Sequence, residues 1–138
     1  MDEAPRQLAN PSHGQRVLVL EPDDESRDAL GALLECWGHR VVLSTTGRQA
    51  LGFAVEMRLD AIVFSFSLPD MEGVEFARTL RGLRLTPAPE LVGYSSRLEG
   101  PEAPVDVFIR KPDLKALERL FAPAARVPAL PLRRPRPR

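Results

Sequence analysis

The stretch LDAIVFSFSLPDMEG, residues 59–73, decides the fold. Five of the six residues from Ala61 to Phe66 are apolar, and turn-forming residues lie on either side of the run. A short, continuous apolar run of this kind predicts a strand buried on both faces of a sheet. A hydroxyl residue, Ser65, nevertheless lies near the carboxyl end of this strand. A polar group buried there needs a hydrogen-bond partner or a function.

Strands and helices alternate along the chain around this stretch. Apolar runs predict strands centred on residues 17–20, 41–43, 61–66, 90–95 and 105–110, and helical spacing predicts helices over 24–37, 46–60, 72–84 and 113–121. This order predicts an α/β domain with a five-stranded parallel sheet, right-handed crossovers and helices on both faces. In such sheets ligands and chemistry gather beyond the carboxyl ends of the strands.

The helical spacing also predicts which side chains face the core. Asp23 or Asp24 is expected to cap the first helix, and Gly38 to end it. The predicted inward residues include several apolar side chains of the first, second and last helices: Leu30, Leu34, Trp37, Val55, Leu114, Leu117, Leu120 and Phe121. Cys36 is expected to pack in the core as well.

Composition narrows the function classes. The 138 residues, 43% of them hydrophobic, suffice for one domain with a core, and nineteen basic and nineteen acidic side chains cancel, so no overall charge favours nucleic acid or an acidic membrane. The single cysteine excludes a disulfide framework, and His13 and His39 lie too far apart in sequence to suggest a zinc site. Because the chain shows no signal segment and no membrane-length apolar run, we expect a cytoplasmic protein.

The two ends differ from the middle. Residues 1–14 have no periodicity and predict a flexible leader, so that the domain covers 15–122. From 123 to 138 prolines stand at 123, 128, 131, 135 and 137 and arginines at 126, 133, 134, 136 and 138, which predicts an extended or disordered tail. The tail could be a polyproline-type docking ligand, an anchor for nucleic acid or acidic lipid, or only a solubilising segment.

A fourth helix has little room. Only RLEGPEAPVD lies between Ser96 and the last strand, and it contains Gly100, Pro101 and Pro104. Since an average helix needs about 11 residues without such breakers, this helix is predicted to be shortened or missing.

Four motifs, in the right order, resemble the receiver domains of two-component response regulators over about residues 15–122. RVLVLEPDDESR resembles the family's first strand and acidic loop, and DAIVFSFSLPDMEG its phosphoacceptor strand and loop. VGYSS resembles the switch strand that ends in Ser or Thr, and VFIRKP the aromatic residue followed by Lys-Pro. The resemblance implies the flavodoxin-like receiver fold.

The resemblance also implies site residues. In the family an aspartate four residues before the loop proline takes a phosphoryl group from a histidine kinase, acids after the first strand hold Mg²⁺, and a hydroxyl and a lysine stabilise the product. The phosphoacceptor position falls here on Ser65, because Pro69 lies four residues later. The other positions fall on the acidic pocket residues Glu21, Pro22 and Asp23, and on the hydroxyl Ser95, the aromatic switch Phe108 and the lysine Lys111.

The departures from the family pattern predict a degenerate receiver. Serine is a poor nucleophile without an adjacent base, and Pro22 supplies no metal ligand, so we expect no phosphorylation at Ser65, no catalytic residue and weak or absent Mg²⁺ binding. Lys111, without its usual aspartate, is expected to pair with Glu21 or to reach the Ser65 hydroxyl. Simpler interpretations remain beside these: Ser65 bonding its own backbone, Asp23 only capping a helix, Lys111 solvated, and Phe108 in the core.

The function predicted from these features is a stand-alone, receiver-like signalling protein that is not an enzyme and has no small-molecule substrate. It is expected to act by binding a histidine kinase, a regulator or a scaffold. One alternative is an active phosphoacceptor that uses Asp70 or Asp23 as a substitute acid. Another is a nucleic-acid or membrane adaptor that binds through residues 123–138.

Overall fold

The computed structural model describes residues 14–97 and 104–122, and these form one parallel sheet. Its strands are β1 (Arg16–Leu20), β2 (Arg40–Ser44), β3 (Ala61–Phe64), β4 (Glu90–Ser95) and β5 (Val107–Arg110). All strand pairs are parallel, and the order across the sheet is β2-β1-β3-β4-β5. This is a doubly wound order, and it confirms the predicted fold class.

The burial of the strands explains why their sequences do not alternate between apolar and polar residues. Every residue of β3 is buried, as are the last four of β1 and the last five of β4. The edge strands β2 and β5 are buried only in part. Central strands of a parallel sheet are covered by helices on both faces, so nearly every side chain in them must be apolar.

Four helices lie within the described residues: α1 (Asp24–Cys36), α2 (Gly47–Glu56), α3 (Gly73–Gly82) and α4 (Leu114–Phe121). The third helix ends two residues before the predicted position 84. Most of the segment predicted to hold a short or missing fourth helix, residues 98–103, lies outside the described residues, and the residues described on either side of it are not helical. The predicted tail, 123–138, and the predicted leader up to residue 13 also lie outside them.

Short polar side chains start these helices. Asp23 caps α1 by accepting a hydrogen bond from the Ser26 N–H, and Thr46 and Asp113 do the same for the Gln49 and Ala116 N–H groups at the starts of α2 and α4. Gly38 follows α1 with a φ of 98°, a left-handed conformation that glycine adopts without strain. The predicted start and end of the first helix are therefore confirmed.

The helices cover the two faces of the sheet in pairs. One core cluster contains residues of α2 and α3 together with Leu18, Ile62, Phe64, Phe66 and Leu91. The other contains residues of α1 and α4 together with Val17, Val19, Val63, Tyr94 and Ile109. No helix among the described residues is long and apolar enough to cross a membrane.

Several residues predicted to face the core are exposed instead. Val55 is 65% exposed and Leu114 is 53% exposed, while Leu120 and Cys36 also face solvent. A helix buries only a stripe of its surface. Because α4 has two turns and packs through Leu117 and Phe121, four residues apart, Leu114 and Leu120 lie outside that stripe. Val55 and Cys36 likewise lie outside the buried stripes of α2 and α1, to which Ala54 and Leu34 belong.

Candidate functional site

The residues predicted to form a site meet at the carboxyl edge of the sheet. Glu21 follows β1, Ser65 follows β3, Ser95 ends β4 and Lys111 follows β5. Parallel strands end at the same edge, which is why residues so far apart in sequence come together. Glu21, Ser65 and Ser95 are buried, with 5%, 6% and 2% of their surfaces exposed. A buried carboxylate and two buried hydroxyls need partners.

Lys111 supplies the partner for the carboxylate. Its Nζ lies 2.6 Å from Glu21 Oε1, and Glu21 Oε2 accepts a hydrogen bond of 3.0 Å from the Asp23 N–H. The ammonium group also lies 5.6 Å from the centroid of the Tyr94 ring. Of the two partners expected for Lys111, the structure therefore selects Glu21, and both carboxylate oxygens of Glu21 are occupied.

Ser65 bonds to its own surroundings. Its Oγ accepts a hydrogen bond of 3.3 Å from the Ser67 N–H, and its N–H donates one of 3.0 Å to the Leu20 carbonyl. The first bond is a local turn in which a hydroxyl replaces a backbone acceptor. This is the geometry of the simpler interpretation, a strand-end serine whose hydroxyl orders the following loop.

Ser95 ties the end of β4 to that same loop. Its Oγ accepts hydrogen bonds of 3.3 Å from the Phe66 N–H and 3.4 Å from the Arg97 N–H. The Phe66 ring lies 5.5 Å from that of Phe108, which is half-buried and packs against the core cluster of α2 and α3. Phe108 thus contributes to the core, as a strand aromatic ordinarily does.

The acidic loop after β1 is used by α1. Asp23 Oδ2 accepts a hydrogen bond of 2.8 Å from the Ser26 N–H, and hydrogen bonds with Ser26 lower the pKa of this carboxyl below its ordinary value. The carbonyls of Glu21 and Pro22 accept from Arg27 Nη1 at 3.0 and 3.4 Å. Pro22 itself has no side-chain donor or acceptor, so at this position only its carbonyl takes part.

Asp70, the substitute acid of the alternative hypothesis, points to α2. Its Oδ1 accepts a hydrogen bond of 2.9 Å from the Gly47 N–H and its Oδ2 one of 2.9 Å from the Arg48 N–H. Desolvation acts to raise the pKa of this carboxyl, but the backbone hydrogen bonds from Arg48 and Gly47 outweigh that effect and leave the pKa below its ordinary value. Both oxygens therefore serve the start of a helix.

Two arginines at this edge of the sheet were not predicted from the sequence as site residues. Arg27 Nη2 lies 2.6 Å from Asp24 Oδ1 while Nη1 reaches the loop carbonyls, so one guanidinium holds the acidic loop. Arg97 Nη1 contacts Ser67 Oγ at 3.2 Å and Glu72 Oε1 at 2.9 Å. The available signals were the position of Arg97 just beyond a strand end and the spacing of Arg27 from Asp24, which suits an ion pair on one helix face.

The carboxylates of this edge are distributed among separate partners. Among residues 14–97 and 104–122, no group of three or more His, Cys, Asp and Glu side chains is placed to hold a metal ion. Glu21 faces an ammonium, Asp23 caps α1 and Asp70 caps α2. A hard cation such as Mg²⁺ instead needs oxygen ligands converging on one point.

No family model matches the chain, whereas curated proteins do. Over 118 residues the chain is 31% identical to the sensor histidine kinase AtsR of Burkholderia thailandensis, a match that covers 80% of this chain and 20% of that protein. Over 127 residues it is 36% identical to the response regulator MprA of Mycobacterium tuberculosis, covering 88% of this chain and 52% of that protein. The chain thus spans about half or less of the length of these relatives.

Solved structures match the fold over most of its length. A CheY-like response regulator receiver domain from Methylobacillus flagellatus superposes with a TM-score of 0.72 and 27% identity, covering 78% of this chain and 95% of that chain. The receiver domain of the sensor histidine kinase PA1611 from Pseudomonas aeruginosa, solved with magnesium in its active-site cleft, gives 0.71 and 26%, covering 78% and 94%. Together with the sheet order and the sequence relatives, these structures support the assignment of the described part of this chain to the response regulator receiver domains of the CheY-like kind.

Proposed function

We propose that this chain is a degenerate receiver of two-component signalling, which acts by binding another protein and takes no phosphoryl group at Ser65. The observation that carries the proposal is the contact of 2.6 Å between Lys111 Nζ and Glu21 Oε1. The lysine expected to neutralise a phosphoryl group is already paired with the acid expected to help hold a metal. In this arrangement the buried charges balance without phosphate or metal.

The chemistry of Ser65 supports the same conclusion. A serine hydroxyl attacks phosphorus only when a neighbouring base removes its proton. Its oxygen accepts from the Ser67 N–H, and the buried acid of the proposed pocket, Glu21, accepts from Lys111 Nζ and the Asp23 N–H. Ser65 is therefore proposed to hold the place of the phosphoacceptor, with Ser95 and Phe108 in the positions of the switch residues.

Magnesium binding is proposed to be weak or absent. Mg²⁺ in proteins is usually held by one or two carboxylates with water and phosphate oxygens in octahedral geometry. Of the three positions assigned to the acidic pocket, Pro22 offers only a carbonyl, Asp23 caps α1 and Glu21 pairs with Lys111. These residues fit a magnesium site poorly, so no step of the proposed function passes through the metal.

The partner is proposed to be another signalling protein: a histidine kinase, a regulator or a scaffold. Matches to a sensor histidine kinase and to response regulators support this setting. We propose that the domain covers residues 15–122, and that the protein is cytoplasmic, lacks enzymatic activity and has no small-molecule substrate. A nucleic-acid or membrane role could come only through 123–138, where five arginines lie without an acidic residue.

An active phosphoacceptor that uses Asp70 fits the site less well. Both Asp70 oxygens accept hydrogen bonds from the start of α2, and the residue is exposed on the loop rather than at the buried strand end. Phosphorylation of this carboxylate would break at least one of those bonds.

A direct test is to incubate the full chain with acetyl phosphate and Mg²⁺ and to measure its intact mass, with a receiver of known activity confirming the reagent. We expect no phosphoryl adduct on this chain. A matched Pro22→Asp/Ser65→Asp variant restores two carboxylates and is expected to gain an adduct.

An adduct on the unaltered chain would overturn the proposal. If Asp70→Asn then removed it, Asp70 would be the acceptor. If only Ser65→Ala removed it, the serine would be an active nucleophile.

A further inference from the structure

A groove separates α1 from the start of α4, on the face of the sheet that these two helices cover. Its volume is about 400 Å³. Leu114 lines the groove and is 53% exposed, although sequence spacing predicted it to be buried. The residues that line the groove come from both helices and from the strand ends between them: Glu21, Ser26, Ala29, Leu30, Leu33, Tyr94, Lys111, Pro112 and Leu114.

The groove has apolar walls and one polar end. Leucine, alanine and proline side chains form the walls, and Tyr94 and Lys111 lie at the end nearest the carboxyl edge of the sheet. Tyr94 is 8% exposed, and within residues 14–97 and 104–122 its hydroxyl has no hydrogen-bond partner. Lys111 Nζ has three donors and uses one on Glu21. This end therefore offers hydrogen-bond donors to an occupant that brings acceptors.

The first turns of α1 give the groove an acidic border. Asp23, Asp24, Glu25 and Asp28 are all exposed there, and Glu25 and Asp28 immediately precede the groove residues Ser26 and Ala29. The chain as a whole is neutral, but its charge is divided unevenly. Residues 1–122 contain fourteen basic and nineteen acidic side chains, whereas residues 123–138 contain five arginines and no acid.

The sequence that follows α4 combines the chemical features that complement this groove. RVPALPLRR, residues 126–134, places Val127, Leu130 and Leu132 between one arginine at its start and two at its end. Pro128 and Pro131 have no N–H, so this stretch favours an extended polyproline conformation that presents carbonyl acceptors. Apolar side chains suit the walls, carbonyls suit the Tyr94 and Lys111 donors, and arginines suit the acidic border.

The distance along the chain also fits. The groove lies at the start of α4, and residue 123 comes two residues after the end of that helix at Phe121. The chain must therefore run back along a helix of eight residues. Such a helix is about 12 Å long at 1.5 Å per residue. Five residues in a polyproline conformation span about 15 Å at 3.1 Å per residue. Residues 123–127 therefore suffice to bring Pro128 level with Leu114.

We propose that residues 126–134 bind as an internal ligand in the groove between α1 and α4. A segment tethered by a short linker has an effective concentration in the millimolar range, so even a weak contact, with a Kd of about a millimolar, is substantially occupied. Any protein that uses this face must first displace the segment, which makes it an autoinhibitory contact. The inference does not depend on whether Ser65 takes a phosphoryl group.

Paramagnetic NMR on the full chain tests this directly. The one cysteine, Cys36, is exposed and is replaced in a Cys36→Ser background, after which Ala129→Cys carries a nitroxide label. We expect loss of amide intensity confined to groove residues such as Ala29, Leu33 and Leu114. Amides of α2 and α3, on the opposite face, should keep their intensity.

Paired variants separate specific binding from general attraction. Glu25→Lys/Asp28→Lys should restore the lost intensity, whereas Glu56→Lys/Glu75→Lys, the same charge change on α2 and α3, should not. Leu130→Asp/Leu132→Asp should also restore it.

Three results would overturn the proposal. The first is no localised loss of amide intensity, and the second is a loss of intensity centred on another face. The third is a loss of intensity that appears when isotope-labelled chain without nitroxide is mixed with nitroxide-labelled chain. The last result would make a second copy the occupant.

Discussion

Glu21 and Lys111 join the ends of β1 and β5, two strands that are separated in the sheet by β3 and β4. Their contact of 2.6 Å crosses the carboxyl edge, and the Glu21 side chain is only 7% exposed against 25% for Lys111. A charge this deeply buried depends on its partner, because desolvation is costly unless an opposite charge and hydrogen bonds offset it. The pair is therefore a fixed element of the edge rather than a surface ion pair.

Breaking this pair from one side is expected to destabilise the domain. Lys111→Met leaves the Glu21 carboxylate buried without its counter-charge and should lower the free energy of unfolding by about 3 kcal/mol. Urea unfolding of Lys111→Met, Glu21→Gln and the Glu21→Gln/Lys111→Met double variant measures the coupling. The double variant should lose less than the sum of the single losses. Additive losses would mean that the two groups do not stabilise each other.

Magnesium should leave the amide spectrum of the full chain without saturable shifts at Glu21, Ser65 and Ser95. The Pro22→Asp/Ser65→Asp variant should show shifts that saturate, because two added carboxylates can converge on one cation. Ser67→Asp, which adds a carboxylate at an exposed position of the same loop, is the matched control and should behave like the unaltered chain. Saturable shifts in the unaltered chain would contradict the prediction of weak or absent binding.

Two glycine substitutions should act in opposite directions. A methyl group on Gly93 would lie 2.8 Å from the Phe66 ring, whereas one on Gly52, in α2, would meet no atom within 4 Å. Gly93→Ala should therefore cost about 2 kcal/mol through overpacking. Gly52→Ala should add about 0.5 to 1 kcal/mol, because alanine favours a helix more than glycine does.

Thermal or urea unfolding compares the two glycine variants. Phe66→Leu should recover part of the loss caused by Gly93→Ala, since it removes the ring that obstructs the methyl group. An unchanged loss in the double variant would place the strain elsewhere.

Replacing His39 should detach the end of α4 from β2. Its Nδ1 accepts a hydrogen bond of 2.9 Å from the Gln15 N–H, and its Nε2 lies 2.5 Å from the Phe121 carbonyl. His39→Phe keeps an aromatic ring beside Phe121 but loses both bonds, which should cost about 2 kcal/mol. Hydrogen exchange should show faster opening of α4, while exposed Arg40→Ala leaves it unchanged. Unaltered exchange in His39→Phe would show that this link does not hold the helix.

Asp70 should make the domain sensitive to acid. Its pKa in the folded state lies below the ordinary 3.8, so the stability it contributes is present above that pH and is lost as the pH falls through the folded value. The sign follows from linkage, since the unfolded state binds the proton first. Asp70→Asn should flatten the decline of unfolding free energy across this range, whereas Glu75→Gln, at an exposed position of α3, should not. Equal slopes in all three proteins would contradict the prediction.

Much of the fold could be predicted because its signals are local. Buried central strands require continuous apolar runs, and the start of α1 required a capping acid, so Ile62, Val63 and Asp23 follow from the sequence. The exposure of Leu114 did not follow. Helical spacing specifies which face of α4 is buried, but the width of that buried stripe depends on how closely α1 approaches α4.

The site could be predicted as a meeting of strand ends but not as a set of bonds. Glu21, Ser65, Ser95 and Lys111 had to meet because parallel strands share an edge. Whether Lys111 would choose Glu21 or Ser65 depended on a few ångströms between segments ninety positions apart in sequence. No local pattern encodes such a distance. The contacts of Arg27 with the loop carbonyls were hidden for the same reason.

The close packing around Phe66 limits how this part of the domain can move. The methyl group that Gly73 lacks would lie 2.5 Å from Phe66 Cα, and the one that Gly93 lacks would touch the ring, while the Gly73 N–H donates to the Phe66 carbonyl at 2.9 Å. The residue after Ser65 is thus clamped between the first turn of α3 and the middle of β4. A displacement of the Ser65 loop would therefore move α3 and β4 as rigid elements, because the close contacts around Phe66 leave little room for local adjustment.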